Sequence, residues 1–506
     1  MTDSTDAGSR DVLRRGVYVI LIAVSAGMML GRILAVDAVD RRGVQEAKIQ
    51  QRLAEYRKTL LAKGLQGDSL DKALAAETTR LRSAIRYERP FLSANDRSRW
   101  CTVRVLVEDE LRVPGHPYAI DRLVDEPGWD TIDMVKHDGH FYSSKPPLLP
   151  TLLAGPYWVI HRLTGATLGM HPYAIGRFML ILVNGVGWIV ALVVLSLLVE
   201  RLGATDWGRI FVVAAGSLAT FLTTFAVTLN NHLIAAVSVM IALWALVRIW
   251  LDGRREYRWF ALAGLFGAFA TANELPALCL LALMGAALLV KAPRQTLLGF
   301  APMVLLVGAG FFGTNWIAHE SLRPPYMHRV EGDNWYDYTY ERGGRVVESH
   351  WRNPTGLDRR EHRTGVYAWH CLLGHHGIFS LTPMWVLSFV GMGLWLRRRH
   401  EPRLRELAAM IAVVSIVCLV FYLFIEQEGR NYGGSTSGFR WVFWLAPLWL
   451  VAMLPTLDVF STQRWTRAAA ILLLALSALS ASYPTWNPWT HPWLYQAMQQ
   501  YGGLGG

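Results

Sequence analysis

The residues able to do chemistry crowd into short stretches between long apolar runs. Asn95-Asp96-Arg97-Ser98-Arg99-Trp100 sets a carboxylate three residues ahead of an arginine–aromatic pair. Phe141-Tyr142-Ser143-Ser144-Lys145-Pro146-Pro147 sets a lysine directly before two prolines and an apolar segment. Further polar groups stand at Asn230-Asn231-His232, Asn273-Glu274, Arg323-Pro324-Pro325, His375-His376 and Gly438-Phe439-Arg440. No Walker loop, GxGxxG turn, HExxH helix or GxSxG elbow is present, so ATP hydrolysis, nicotinamide chemistry and zincin proteolysis lack their usual signals.

Each candidate also has an ordinary structural reading. Asp96 suits a helix cap or a solvated loop. Lys145 suits an anchor that snorkels from an apolar boundary. His375 and His376 are adjacent and cannot point the same way on a helix or strand, which favours structural hydrogen bonding over a metal; no metal site is expected. Asn231, His232 and Glu274 mark the ends of apolar runs, where polar groups are functional at bilayer depth and merely wet outside it. Arg323 and its prolines shape a loop.

The elements that must position these groups are membrane helices. Apolar residues make up 52% of the 506, and Asp, Glu, Lys and Arg only 18%, against about 25% in ordinary globular chains. Stretches such as 178–199 and 295–318 carry no charge and exceed the roughly 18 residues that cross a hydrocarbon core. The expectation is an all-α integral membrane bundle of about eleven transmembrane helices with two large extracytoplasmic loops. The spans fall near 16–36, 178–199, 210–231, 233–247, 259–273, 275–290, 295–318, 377–396, 407–425, 441–457 and 468–483. The net charge of +11 lies in arginines flanking those runs, as topology signals and anionic lipids require, so no nucleic-acid partner is expected.

Charge also sets the expected topology. If the proline-interrupted segment 147–163 lies along the outer surface without crossing, the arginine-rich linkers 248–258 and 397–405 fall in the cytoplasm. Residues 1–15 are then cytoplasmic. The stretch 37–177 forms a first outer loop that opens with a helical hairpin, in which Ile49, Leu53, Tyr56 and Leu60 share one face and Leu70, Leu74, Leu81 and Ile85 another. Spans fill 178–318, a second outer loop covers 319–376, further spans fill 377–483, and the tail 484–506 ends outside.

The pair of motifs Asp96-x-x-Arg99-Trp100 and Lys145-Pro146-Pro147 resembles the first outer loop of the GT-C glycosyltransferases that use polyprenyl-phosphate sugars. The likeness is to the branch of the protein O-mannosyltransferases and the lipid A aminoarabinose transferase. Arg177 opening a span, Asn230-Asn231-His232 and Gly438-Phe439-Arg440 extend it more weakly. The resemblance implies an inverting transfer of a sugar from a polyprenyl-phosphate donor to a hydroxyl of a glycan, lipid or protein acceptor, in the cytoplasmic (inner) membrane with the site extracytoplasmic. It implies no cofactor beyond that lipid-linked donor. Asp96 would be the base. Lys145, Arg440 and Arg99 would bind the donor phosphate, and Tyr142, Asn231, His232, Glu274, His375 and His376 could line the substrate pocket. The chain departs from the family at Arg97 and Ser144, where the family has acids, and near Asn273-Glu274, where it has a lysine. Asp37 and Asp40, directly after the first span, are rival bases.

Two other classes share these features. A transporter or lipid flippase would show spans and a basic cavity, though no internal repeat is evident. An oligosaccharide ligase or polymerase would also join lipid-linked sugars. Cys101 and Cys371, the two cysteines outside the spans, would either bridge the two loops or remain separate thiols; a bridge needs Cα atoms within about 7 Å.

Overall fold

The computed structural model describes residues 2–37, 42–84, 89–126, 128–342, 345–484 and 486–501. Among them, Gly8–Leu34, Pro172–Leu202, Asp206–Val227, Asn231–Trp250, Pro293–His319, Pro402–Leu423 and Arg464–Ser482 are long and apolar enough to cross a membrane. Arg440–Ala452 and Leu454–Phe460, bent by 42°, form an eighth if they act as one span. Seven of the eleven expected spans, or eight with the bent pair, therefore reach that length, and the other three are shorter apolar helices. Tyr257–Asn273 has 17 residues and Trp385–Arg397 has 13, and Leu275–Lys291 is also short; about 20 are needed to cross a core of about 30 Å. Prolines shorten two of them. Pro276 turns the start of Leu275–Lys291 into a 3-10 segment, and Pro383 separates Ile378–Leu381 from Trp385–Arg397. Pro455 stands at the bend of the eighth, where Gly391 of the neighbouring helix packs so closely that any Cβ would collide with the Ala452 carbonyl.

The two ends of the bundle have different chemistry. At one end the basic linkers knit together. Arg14 reaches Glu200 at 2.7 Å and Asp206 at 2.5 Å, Arg201 and Arg248 share Asp252 at 2.6 Å each, and Lys291 pairs with Glu406 at 2.6 Å. At the other end Arg177 Nε donates to the Val36 carbonyl at 2.8 Å, so the chain leaves and re-enters the bundle at the same place. The proline-containing helix Leu148–Thr164, 17 residues ending on Gly165 at φ 68°, belongs to this intervening segment.

Within that first segment, helices Arg42–Ala62 and Asp68–Ala84 form a hairpin in which Ile49 and Leu81 are buried with Leu53 beside them. Asp40 and Ile85 lie outside the described residues. The all-α expectation needs correcting here. Met134–His137 and His140–Ser143 form an antiparallel ladder around Asp138 and Gly139, whose φ values of 50° and 82° suit a tight two-residue turn. The second segment, which showed no periodicity in sequence, carries two more short ladders, Arg329–Val330 with Asp333–Asn334 and Thr339–Arg342 with Arg345–Glu348. Their residues alternate too briefly to register as strands in sequence.

The two segments pack on one another. The Lys136 amide donates to the Trp335 carbonyl, and Trp351 Nε1 to the Ile132 carbonyl, each at 2.9 Å. His137 meets His319 at 3.0 Å and stacks between Tyr142 and Trp335.

Candidate functional site

The centre of the site is the helix Ala94–Val107. Ser93 caps it by accepting the Asp96 amide at 3.0 Å. One turn in, its residues point in three directions. Asp96 Oδ1 accepts from Trp100 Nε1 and from the Leu229 amide, both at 2.9 Å, which ties the helix to the approach of the span Asn231–Trp250. Its Oδ2 is buried without a well-formed hydrogen bond. Burial raises the Asp96 carboxyl to about 7, against the Leu229 amide, Arg99 and Trp100, which favour the anion. Arg99 points the other way, Nη2 donating to Asn231 Oδ1 at 2.7 Å and Nη1 to Asn95 Oδ1 at 2.6 Å. Ser98 Oγ bonds the Asp133 carbonyl and Ser143 Oγ, both at 2.6 Å, and so fastens the Met134–Ser143 hairpin to the helix.

From Arg99 a polar chain runs across three span ends. Asn231 Nδ2 donates to Glu274 Oε1 at 2.7 Å, His232 Nδ1 shares that oxygen, and His232 Nε2 meets Arg440 Nη1 at 2.9 Å. Arg440 is fixed by a 2.8 Å bond from Nε to the Gly433 carbonyl and by Trp489 under its guanidinium at 4.8 Å. Gly433 adopts φ 89°, which favours glycine in this turn.

Lys145 completes the cluster through a residue the sequence reading missed. Its Nζ lies 2.9 Å from Asp133 Oδ1, and both side chains are largely buried. Burial lowers Lys145 to about 8; Arg99 and Arg440 push the same way, and Asp133 resists. Burial would raise Asp133, but Lys145, Arg440 and Arg99 outweigh it and hold the carboxyl below its ordinary value. Arg99, buried and facing Arg440, is lowered to about 10. Three cations therefore share one water-poor volume with Asp133, Asp96 and Glu274. Position 144 is a serine where the resembling family has an acid, yet Asp133 sits directly across the ladder from it, the Ser144 amide donating to the Asp133 carbonyl at 3.1 Å. The signal was present: Asp138-Gly139 between alternating residues predicts the hairpin, and counting outward from it places residue 133 opposite 144.

Of the sequence-derived residues, Asp96, Arg99, Lys145, Asn231, His232, Glu274 and Arg440 come together. Tyr142 does not. It stacks on His137 at 4.3 Å and bonds His116 at 3.0 Å, in the aromatic seam between the two segments. It is the neighbour of Ser143 in the strand, so it faces away from the side on which Ser143 meets Ser98 of the motif helix. His375 and His376 form a separate buried pair, Nδ1 to Nδ1 at 2.5 Å, packed on His370, Tyr432 and Tyr495. Burial pushes His375 down to about 3. They back the turn after Tyr432, which stacks on His376 and carries Gly433, the residue whose carbonyl holds Arg440. Asp37 is exposed at the end of the first helix. Cys101 and Cys371 are buried and unbridged, Cys101 Sγ facing the Trp129 carbonyl at 3.5 Å. Among the described residues no group of three or more His, Cys, Asp or Glu is arranged to hold a metal ion.

No protein-family model and no curated protein sequence matches the chain. Solved structures give a distant likeness. The oligosaccharyltransferase of Archaeoglobus fulgidus in complex with Zn and sulfate is 12% identical at a TM-score of 0.41, covering 82% of this chain and 52% of that one. Its apo form is 13% identical at 0.41, over 78% and 51%. The archaeal oligosaccharyltransferase AglB from the same organism, in complex with an inhibitory peptide and a dolichol-phosphate, is 13% identical at 0.34, over 78% and 54%. The chain spans about half the length of these proteins. At such scores the likeness carries no argument, and the case for function rests on the site itself.

Proposed function

We propose that this chain is an integral-membrane glycosyltransferase of GT-C architecture that moves a sugar from a polyprenyl-phosphate donor to an acceptor hydroxyl. One observation carries the reading: Arg99, buried, and Lys145 and Arg440, partly buried, are brought from three distant parts of the chain to the mouth of an apolar bundle beside a carboxylate of raised proton affinity. Buried cations are stable there only with compensation, and a lipid phosphodiester is an anion that arrives from the membrane with its charge already at the boundary.

In the step proposed, the acceptor oxygen bonds the anomeric carbon as the bond from that carbon to the phosphate oxygen breaks, with inversion. The acceptor proton passes to Asp96 Oδ2, the oxygen without a well-formed partner, and polyprenyl phosphate leaves as an anion. Arg99, Lys145 and Arg440 stabilise the charge that grows on the departing phosphate. Asp96 is fully buried in this state, so the acceptor reaches it only when the Leu229 approach opens. Asn231, His232 and Glu274 hold Arg99 and Arg440 apart at fixed positions.

The basic linkers stand at the end opposite the site. By the positive-inside rule that end faces the cytoplasm, which puts the site on the outer face of the cytoplasmic membrane and leaves Leu148–Thr164 lying along that face. The test is purified protein in lipid vesicles given polyprenyl-phosphate sugars, with mass spectrometry of glycolipids and glycoproteins from cells with and without the gene. Product that disappears in Lys145→Ala and Arg440→Ala supports the reading; no change in any glycoconjugate on deletion, with no turnover of any donor, overturns it.

A further inference from the structure

A second cavity lies on the other side of the motif helix. It has a volume of about 500 Å³ and is walled by Pro90, Trp129, His171, Tyr173, Ala174 and Arg177. Two of these walls are held by the face of Ala94–Val107 that turns away from Arg99. Arg97 Nη1 donates to the Pro90 carbonyl at 3.1 Å, and Arg104 covers the Trp129 ring at 4.2 Å. The thickness of a helix, about 10 Å, therefore separates this cavity from the cation cluster.

Its polar lining is cationic. Arg177 spends Nε on the Val36 carbonyl and rests over Tyr173 at 5.6 Å, which fixes the guanidinium plane. Among the described residues that line the cavity there is no carboxylate, and Glu126, which lies against its Gly169 wall, is paired with Arg104; Asp37, next along from Val36, is exposed outside the wall. Below it the span Pro172–Leu202 presents a continuous exposed apolar stripe. Ala174 forms its top, and Phe178, Leu182, Val186, Val190, Val193 and Leu197 follow at helical spacing. A cationic hollow at a boundary, continuous with a lipid-facing groove, has the shape of a headgroup above its chains.

We infer that this cavity binds the phosphate of an anionic phospholipid, with Arg177 as the phosphate contact and the 174–197 stripe as the bed for one acyl chain. Five hundred cubic ångströms accommodates a glycerophosphate headgroup and lies within the usual range for small-ligand sites. The site is independent of glycosyl transfer and stands whether or not that reading holds.

Full-length protein in detergent micelles is titrated with phosphatidylglycerol, and bound lipid is counted by native mass spectrometry. Phosphatidylcholine and inorganic phosphate serve as comparisons. One saturable phosphatidylglycerol should bind at least about fivefold more tightly than phosphatidylcholine, because the choline cation faces Arg177. Arg177→Gln should weaken it about tenfold or more, as loss of a charge-assisted contact does. Ala174→Trp, which fills the hollow and leaves Arg177 in place, should do the same with an unchanged melting temperature, and decides the matter if Arg177→Gln fails to fold. Arg440→Gln should leave phosphatidylglycerol binding intact. Wild-type binding in Ala174→Trp, equal affinity for the two lipids, or displacement of the lipid by millimolar inorganic phosphate would each overturn the proposal.

Discussion

Asp133→Asn separates two electrostatic effects of opposite sign. Removing an anion beside three cations would tighten phosphate binding if Lys145 kept its proton. It would loosen binding if Lys145 lost it. The structure favours the second. Lys145 stands at about 8 with Asp133 2.9 Å away, so only about one unit separates it from neutrality at pH 7. An opposite charge at such range supports a buried cation by about 1–3 units. Losing about two would place Lys145 near 6, cutting its protonated share at pH 7 from about nine-tenths to about one-tenth. The amide also leaves no carboxylate in contact with the ammonium, and keeping an unpaired buried charge costs about 3–5 kcal/mol, more than the roughly 1.4 kcal/mol per unit of releasing the proton. Equilibrium binding of a non-transferable polyprenyl-phosphate sugar analogue reads this directly, since a phosphodiester does not titrate in the working range. Binding by the variant should fall several-fold at pH 7 and return toward wild type at pH 5.5. Tighter binding at pH 7, or a loss that stays the same at both pH values, would refute the reasoning.

Asp96→Asn should lower transfer by about 10²–10⁴ while the protein still inserts and folds; turnover near wild type, lost instead in Asp37→Asn, would move the base to the first helix end. In the wild type, transfer should rise with pH as Asp96 loses its proton near 7 and fall again as Lys145 loses its own near 8, a narrow bell measured as rate against pH; a flat profile from 6 to 9 would contradict both assignments. A single cysteine introduced in the 254–255 linker should resist an impermeant thiol reagent in intact cells and react after permeabilisation, and labelling from outside would reverse the membrane orientation. Denatured protein purified without reductant should titrate four free thiols, and a count of two would show that Cys101 and Cys371 pair in solution.

Much of the architecture is legible in the sequence, because the bilayer imposes it segment by segment. A long uncharged run such as 178–199 can satisfy its backbone only as a helix, whatever its neighbours do. The cap at Ser93 and the turn at Asp138-Gly139 are likewise local, set by side-chain oxygen and by left-handed backbone. What local pattern does not carry is length after proline has acted: 377–396 is apolar throughout, yet Pro383 divides it and leaves a 13-residue helix.

The assembly of the site depended on tertiary structure. Asp96, Arg99 and Lys145 could be singled out by type and spacing, but nothing along the chain shows that Arg440, more than 290 positions beyond Lys145, faces the same volume. That follows from the chain of hydrogen bonds through Asn231 and His232, at the start of one helix, and Glu274, at the end of another. The same holds in reverse for Tyr142 and His375-His376, whose residue types suggested a pocket and whose packing assigns them to a seam and to a backing layer. Asp133 shows the division most directly. Alone in a loop it has no signature. Folded across a hairpin it becomes the counter-ion of Lys145, because a buried ammonium retains its proton only where a carboxylate is brought within contact distance, and only the fold can bring it there.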